Sequence, residues 1–376
     1  MRIAVVHNLR PGGAKRVLFE QVKRLAGRHY IDLFTFSSSI DDYFPLIKIV
    51  NNQFEVKYTC PEHFPASILS VYFLLPRAYR VMAGQINSGN YDLAYVFPCF
   101  LTQAPYILKY LKIPSVYFCP ESKREFYEKI PRVSNKLTYN LTYPFRYYLK
   151  NIDLQNIRSA DKLVTLSEYN SRTVKKVYGR QSTVVPLGVD NKLFVPLKTD
   201  RENYILSVGN FSLLKGHDFI IRSLALIPEK IRPKLIIAGF GGHEKSYLHK
   251  IAGKLTVDLN VIDSPSDTKL NRLYNKAALL AFAAINEPLG LVVLEALSSG
   301  LKVIAVNSGG VPEILIKSGL GEIVERDEKK YSEAILNNVS LNEDGELKKL
   351  RRKYITNKWN WEISVKKLEE LFLRMA

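Results

Sequence analysis

Cysteine, tryptophan and methionine are scarce in this 376-residue chain, with three, two and three residues respectively. Cys60, Cys99 and Cys119 form no CxxC pair and no even framework, which argues against a disulfide scaffold or a zinc site. Their apolar surroundings fit reduced thiols in a reducing compartment. Histidine is sparse too, six residues dispersed along the chain, and Asp-x-Asp is absent, so no metal-ligand spacing arises. No apolar run is long enough to span a bilayer; the nearest, Ala66–Leu75, is stopped by Pro76 and Arg77. The start, Met1-Arg2-Ile3-Ala4-Val5-Val6-His7, reads directly into a strand, so no signal peptide is expected. These absences predict a cytoplasmic protein, soluble or peripheral on the inner face of the plasma membrane.

Acidic residues are also in short supply, 36 against 54 Lys and Arg, giving a net charge of +18. The excess is uneven. Residues 1–188 hold 26 basic and 13 acidic side chains, the remainder 28 and 23, so the first half carries +13. Such a field favours an anionic partner: a phosphate-bearing substrate, an acidic membrane face or nucleic acid. The chain is otherwise globular, with 47% hydrophobic and 24% charged residues and length for two domains with separate cores.

Short apolar runs alternate with stretches of helical period. Ile3–His7 reads as a buried strand, Gly12-Gly13 as a turn, and the segment from Ala14 as a helix with Val17, Leu18, Val22 and Leu25 on one face. Further strands are expected at Ile31–Phe36, Leu93–Phe97, Ser115–Phe118 and Leu163–Thr165. Continuous apolar strands of this kind belong to a parallel sheet covered by helices on both faces. Val184–Asp190 closes that series, and the polar stretch Pro196–Asn203 reads as an interdomain linker. A second α/β series follows, with strands Ile205–Val208, Leu235–Ala238, Leu279–Phe282 and Val303–Val306. The last helix, Trp361–Met375, offers an apolar stripe of Ile363, Leu368, Leu371 and Phe372.

The chemistry concentrates in loops that follow strands. Glu287-Pro288-Leu289-Gly290 follows the strand Leu279–Phe282, at the sheet edge where doubly wound folds bind ligands. A helix starting near Gly290 presents free N–H groups and a positive dipole end to an anion such as a diphosphate. Glu295, about a turn and a half inside it, is a carboxylate suited to ribose hydroxyls; the plain alternative is a loop glutamate and a solvated helical glutamate. Lys215, in Gly209-Asn210-Phe211-Ser212-Leu213-Leu214-Lys215-Gly216, offers a point charge for phosphate at the same edge. Ser308-Gly309-Gly310-Val311-Pro312-Glu313 supplies a second glycine loop there. In the first half, Pro11-Gly12-Gly13 ends a strand with no side chain to block a close ligand. His7 reads as a core histidine.

Taken together these residues resemble the retaining glycosyltransferases of GT-B fold, family four. The likeness covers nearly the whole length. It is carried by Gly12-Gly13, Ser159-Ala160-Asp161 with Ser167-Glu168, Pro186-Leu187-Gly188-Val189-Asp190, Gly209 with Lys215-Gly216, Glu287-x7-Glu295 and Ser308-Gly309-Gly310-x-x-Glu313. The resemblance implies two Rossmann-like domains facing across a cleft: an acceptor-binding domain at 1–190, completed by a terminal helix at about 361–376, and a nucleotide-sugar domain at 191–360. It implies roles for Lys215 on the donor diphosphate, Glu287 and the Gly290 and Leu291 amides on the transferred sugar, and Glu295 on the ribose. Gly12 and Gly13 would approach the phosphates. The donor is then a UDP- or GDP-sugar, with no cofactor and no obligatory metal, and the acceptor a saccharide, lipid-linked or of a cell-surface polysaccharide. A front-face mechanism, in which the departing phosphate assists the incoming hydroxyl, is the family-level expectation.

Two positions depart from the family pattern. The arginine usual five residues before the lysine is replaced by Asn210, and a histidine usual after the strand Ser115–Phe118 corresponds to Pro120. In the stretch that follows, Glu121 and Arg124 are the acceptor-binding candidates, the alternative being a surface loop. Between Lys136 and Lys162, Tyr139, Tyr143, Phe145, Arg146, Tyr147, Tyr148 and Lys150 form a basic aromatic segment that suits an anionic membrane interface. Ser67–Met82 adds Tyr72, Phe73, Leu74, Arg77 and Arg80. The alternative is aromatic packing with solvated lysines. Two rival functions are a sugar-nucleotide epimerase of the same fold and an inactive basic binding protein. No helix-turn-helix, zinc or RNP-like motif points to nucleic acid.

Overall fold

Among the described residues thirteen strands are built largely from the apolar runs, because a strand buried on both faces needs a hydrophobic residue at nearly every position. The computed structural model describes residues 1–38, 44–63, 65–128, 140, 143–318, 320–339 and 345–376. The chain divides into two compact units, Met1–Pro186 with Trp361–Ala376, and Leu187–Asn360.

The first unit holds a seven-stranded parallel sheet of β1 (Arg2–Asn8), β2 (Tyr30–Phe36), β3 (Asn52–Val56), β4 (Leu93–Cys99), β5 (Ser115–Phe118), β6 (Lys162–Thr165) and β7 (Thr183–Val184). Its order is β3-β2-β1-β4-β5-β6-β7, so the direction of winding reverses between β1 and β4. The helix Gly13–Leu25 buries Val17, Leu18, Val22 and Leu25 as its period requires. The helix Tyr143–Arg158 is tied down by Asp153, fully buried. This carboxylate accepts hydrogen bonds from the Tyr178 hydroxyl at 2.8 Å, the Ala104 amide at 3.1 Å and the Tyr127 hydroxyl at 3.2 Å. Burial outweighs those donors and pushes its carboxyl up to about 6.

The terminal helix Trp361–Leu373 packs in this first unit. Its buried stripe is Trp361, Ser364, Val365, Leu368 and Phe372. Ile363, expected on that stripe, is exposed instead, since the phase set by Trp361 and Val365 turns position 363 outward. Arg24 reaches Glu362 at 2.8 Å, and Glu369 accepts from Arg28 at 2.5 Å, with its other oxygen 2.7 Å from His29. Phe372 meets Tyr95 edge-on at 5.1 Å between centroids.

The second unit has a six-stranded parallel sheet, in which β8 (Tyr204–Val208), β9 (Lys234–Gly239), β10 (Leu259–Asp263), β11 (Leu279–Phe282), β12 (Val303–Val306) and β13 (Glu322–Val324) take the order β10-β9-β8-β11-β12-β13. Its winding reverses between β8 and β11. The segment 196–203, read as a linker, is fastened to this unit: Leu197 donates to Asn275 at 2.6 Å, Arg201 to the Ala277 carbonyl at 2.6 Å, and Lys276 pairs with Glu202 at 2.7 Å. Its polarity serves these contacts rather than flexibility. Among the described residues no helix is long and apolar enough to cross a membrane. Cys60, Cys99 and Cys119 are free thiols.

Candidate active site

At the carboxyl edge of the second sheet the chain leaves β8 through Gly209 and Asn210 and makes a tight 3-10 turn at Leu213–Lys215. Gly216 then starts the helix His217–Ala225. Only glycine fits there: φ is +68°, and a Cβ would lie 2.1 Å from the Ala283 carbonyl oxygen. The turn therefore lies flush against the end of β11, and the Ile285 amide donates to Leu214 at 2.8 Å. His217 staples the loop from inside. Its Nε2 donates to the Asn210 carbonyl at 3.2 Å, which leaves Nδ1 to accept from Ser207 Oγ at 2.9 Å. Burial, with Lys215 nearby, pushes the imidazole down to about 4, so it stays neutral.

The loop after β11 comes from the facing side of the reversal point. Asn286 is held in the left-handed region at φ 49° and its amide donates to Ser308 Oγ at 2.8 Å. Gly310 donates to the Glu287 carbonyl at 2.8 Å. Gly309, at φ +72°, has no room for a side chain, since a Cβ would sit 2.1 Å from that same carbonyl. The second glycine loop is thus a cradle under Glu287. Out of it the Glu287 carboxylate reaches Lys215, whose Nζ donates to Oε2 at 2.7 Å, both side chains being partly open to solvent. Gly290, at φ 97°, is the N-cap of the helix Leu291–Ser298, with no side chain capping it and no acid in the first turn.

The structure thus brings Lys215, Glu287 and the Gly309 loop together. Glu295 lies inside the helix Leu291–Ser298. It is buried rather than solvated, and Oε2 accepts from the Tyr274 hydroxyl at 2.8 Å. Tyr274 was not singled out in the sequence; it occupies one of the buried positions of the helix Asp267–Lys276, where periodicity marks core rather than partner. Asn210 turns its Oδ1 to the Ser212 hydroxyl at 2.8 Å. A second cation, Arg326, donates to the Ala283 carbonyl at 2.6 Å and lies over the Phe219 ring, 4.6 Å from its centroid.

In the first unit, Gly12 opens the helix Gly13–Leu25 with free space beside it, and that helix has no acid in its first turn. His7 is a core histidine. The Leu9 amide donates to its Nδ1 at 3.3 Å, Lys15 Nζ lies 3.4 Å from Nε2, and burial holds its pKa well below the usual value. Of the two acceptor candidates, Arg124 is engaged with Glu128 at 3.0 Å, and the Glu121 carbonyl accepts from Gln103 at 3.0 Å. Lys136 and Tyr139 lie outside the described residues. Among the described residues no three His, Cys, Asp or Glu side chains gather as metal ligands.

Two family patterns together span residues 11–361: residues 11–193 match Glycosyltransferase Family 4, and residues 189–361 match Glycosyl transferases group 1. The chain belongs to the family 4 glycosyltransferases. This glycosyltransferase is 34% identical over 118 residues to an uncharacterised glycosyltransferase of Methanocaldococcus jannaschii, covering 31% of this chain and 30% of that one. It is 27% identical over 239 residues to the GDP-mannose-dependent monoacylated alpha-(1-6)-phosphatidylinositol monomannoside mannosyltransferase of Corynebacterium glutamicum, covering 56% and 61%. The matches therefore span less than two thirds of the length of these relatives. The Anabaena protein HepE, solved with UDP and glucose, superposes with a TM-score of 0.74 over 99% of each chain at 17% identity, a likeness of fold. The glycosyltransferase has the GT-B architecture of two parallel-sheet α/β domains.

Proposed function

We propose that this glycosyltransferase moves a sugar from a UDP- or GDP-sugar to a saccharide acceptor with retention of anomeric configuration. The observation that carries the reading is the Lys215–Glu287 pair, seated on two glycine-dependent loops at the reversal point of the second sheet. With donor bound, Lys215 exchanges the carboxylate for the diphosphate and stabilises the charge that gathers there as the glycosidic bond breaks. Glu287, released, accepts hydroxyls of the transferred sugar, and the amides at Gly290 and Leu291 add the field of the helix end. Glu295, oriented by Tyr274, is the carboxylate for the ribose. On the front-face route the anomeric C–O bond to phosphate breaks and the new C–O bond forms on the same face. The acceptor hydroxyl proton passes to a departing phosphate oxygen, so no protein nucleophile is required. One relative is named for GDP-mannose and one structural neighbour holds UDP, which keeps both nucleotides in the screen.

The first unit's partner in this reading is an anionic membrane carrying a lipid-linked acceptor. Phe73, Tyr143, Tyr147 and Tyr148 are each 57–59% exposed. Tyr72 joins their two segments, donating to the Phe145 carbonyl at 2.8 Å and meeting Tyr148 edge-on at 5.0 Å. Arg77, Arg80, Arg146 and Lys150 lie among them, and the one acid of residues 66–88 and 143–158 is the buried Asp153. Aromatic anchors ringed by cations suit an acidic interface.

The test is product analysis with purified chain, UDP- and GDP-sugars, and glycolipid acceptors, read by NMR of the new anomeric centre. Retained configuration is expected. An inverted product, an epimerised donor formed without acceptor, or the absence of any nucleotide-sugar binding overturns the reading.

A further inference from the structure

A concavity lies at the reversal point of the first sheet, where the connections of neighbouring strands diverge and leave a crevice. It has a volume of about 390 Å³ and is walled by the ends of β1, β2, β3 and β4 and the chain that follows each. That volume lies within the range of small-molecule sites. The loops are tied together at its base: Asn8 Nδ2 donates to Cys99 Sγ at 3.3 Å, and the Phe100 amide to the Asn8 carbonyl at 3.0 Å.

Two opposite charges line it. The Arg10 guanidinium lies over the Phe100 ring, 4.4 Å from its centroid. Arg10 is exposed and makes no hydrogen bond or ion pair among the described residues, so its N–H donors are available to a planar or tetrahedral anion. Glu62 shares the lining but forms no ion pair with Arg10, and among the described residues neither side chain has an ion-pair partner. A neutral sugar would satisfy Glu62 through its hydroxyls and leave the arginine unused. A bare anion would do the reverse. A saccharide bearing an anionic group satisfies both, with Thr59 as a further hydroxyl partner. The positive excess of residues 1–188 adds attraction at longer range.

We propose that this cavity binds an anionic saccharide unit of the acceptor, a sugar phosphate or a uronic acid, and that Arg10 is the residue selecting for its charge. The inference rests on the transferase reading, since it names the acceptor class for that reaction.

Cys60 provides a reporter that does not depend on turnover. It lines the cavity and is half-buried, whereas Cys99 and Cys119 are fully buried. Its alkylation rate in the full-length protein would be measured with glucose 6-phosphate, glucuronate, glucose or inorganic phosphate present. Glucose 6-phosphate or glucuronate is expected to protect at about tenfold lower concentration than glucose or phosphate alone. Arg10→Ala should weaken that protection about tenfold or more, as the loss of a charge-assisted contact implies. Equal protection by glucose, equal protection by inorganic phosphate, or protection unaltered in Arg10→Ala overturns the proposal. Thermal shift by UDP- and GDP-sugars, read in parallel, reports on the donor reading alone, so the two can fail separately.

Discussion

Replacing Lys215 by alanine should separate chemistry from stability. Lys215 Nζ lies 2.7 Å from Glu287 Oε2, and the two side chains keep 23% and 21% of their exposure. An ion pair this open to water contributes about 0.2–1 kcal/mol to folding, because solvent screens it and rehydrates the partner left behind. For a domain the size of the second unit that is a melting shift of up to about 4 °C. The same amine placed against a departing diphosphate is worth more, since its charge acts where charge develops; one such stabiliser contributes about 2.7–4 kcal/mol, or roughly 100- to 1,000-fold in rate. Lys215→Arg should recover little. The lysine stem runs along the strand end, with Cγ 3.0 Å from where a Gly209 Cβ would be, and a guanidinium is a planar fork rather than a compact charge. The assay is the initial rate of donor consumption beside a melt of the same preparation. Activity within about threefold of the parent, or a melt lowered by about ten degrees with activity lost in proportion, would refute the argument.

Gly309→Ala should lower activity as severely as Glu287→Gln while sparing the fold of the first unit. Its Cβ must displace the Glu287 carbonyl and its φ of +72° costs an L-residue about 1–2 kcal/mol; unchanged kinetics would contradict this. Asp153 predicts a pH dependence of definite sign. Its carboxyl is raised from 3.8 to about 6, so the folded state holds the proton more tightly and stability declines as pH rises through that window. At pH 7 the penalty is about 3 kcal/mol, at ~1.36 kcal/mol per unit. The melting difference between Asp153→Asn and the parent should therefore shift in the variant's favour from pH 4 to 7, and a flat difference would exclude the mechanism. Cosedimentation should show binding to vesicles containing phosphatidylglycerol, falling with salt and with a Tyr147→Ser, Tyr148→Ser double variant. Equal binding to neutral phosphatidylcholine would sink the membrane proposal.

Central strands were legible because burial on both faces writes itself as an unbroken apolar run. Ser115–Phe118, Leu279–Phe282 and Val303–Val306 fall where the sequence places them. The strands not anticipated are those at or near sheet edges. Asn52–Val56, Leu259–Asp263 and Glu322–Val324 are partly exposed and correspondingly polar, so they carry no such run. At the site, the meeting of Lys215 and Glu287 could be anticipated from loops following strands on one sheet edge. Nothing in the spacing announces Asn286 in the left-handed region, the Ser308 hydroxyl that caps it, or the tyrosine that holds Glu295. Those depend on three-dimensional register between loops about 20 residues apart. In the terminal stripe Leu368 and Phe372 are buried as expected, whereas Ile363 is exposed and Leu371 only half-buried, because both look as apolar as Val365 and only the partner surface chooses among them.

The return of residues 361–376 to the first unit has a bearing on how the polypeptide matures. On the ribosome the amino-terminal sheet is synthesised early, yet the surface that Trp361, Leu368 and Phe372 cover must wait for translation of the whole intervening unit. Leu187–Asn360, continuous in sequence, can complete itself while that surface is still bare. A nascent chain paused near residue 355 would present an unfinished hydrophobic face to chaperones, and clipping the tail of the mature enzyme would loosen the amino-terminal half rather than the half to which the cut lies nearer in sequence.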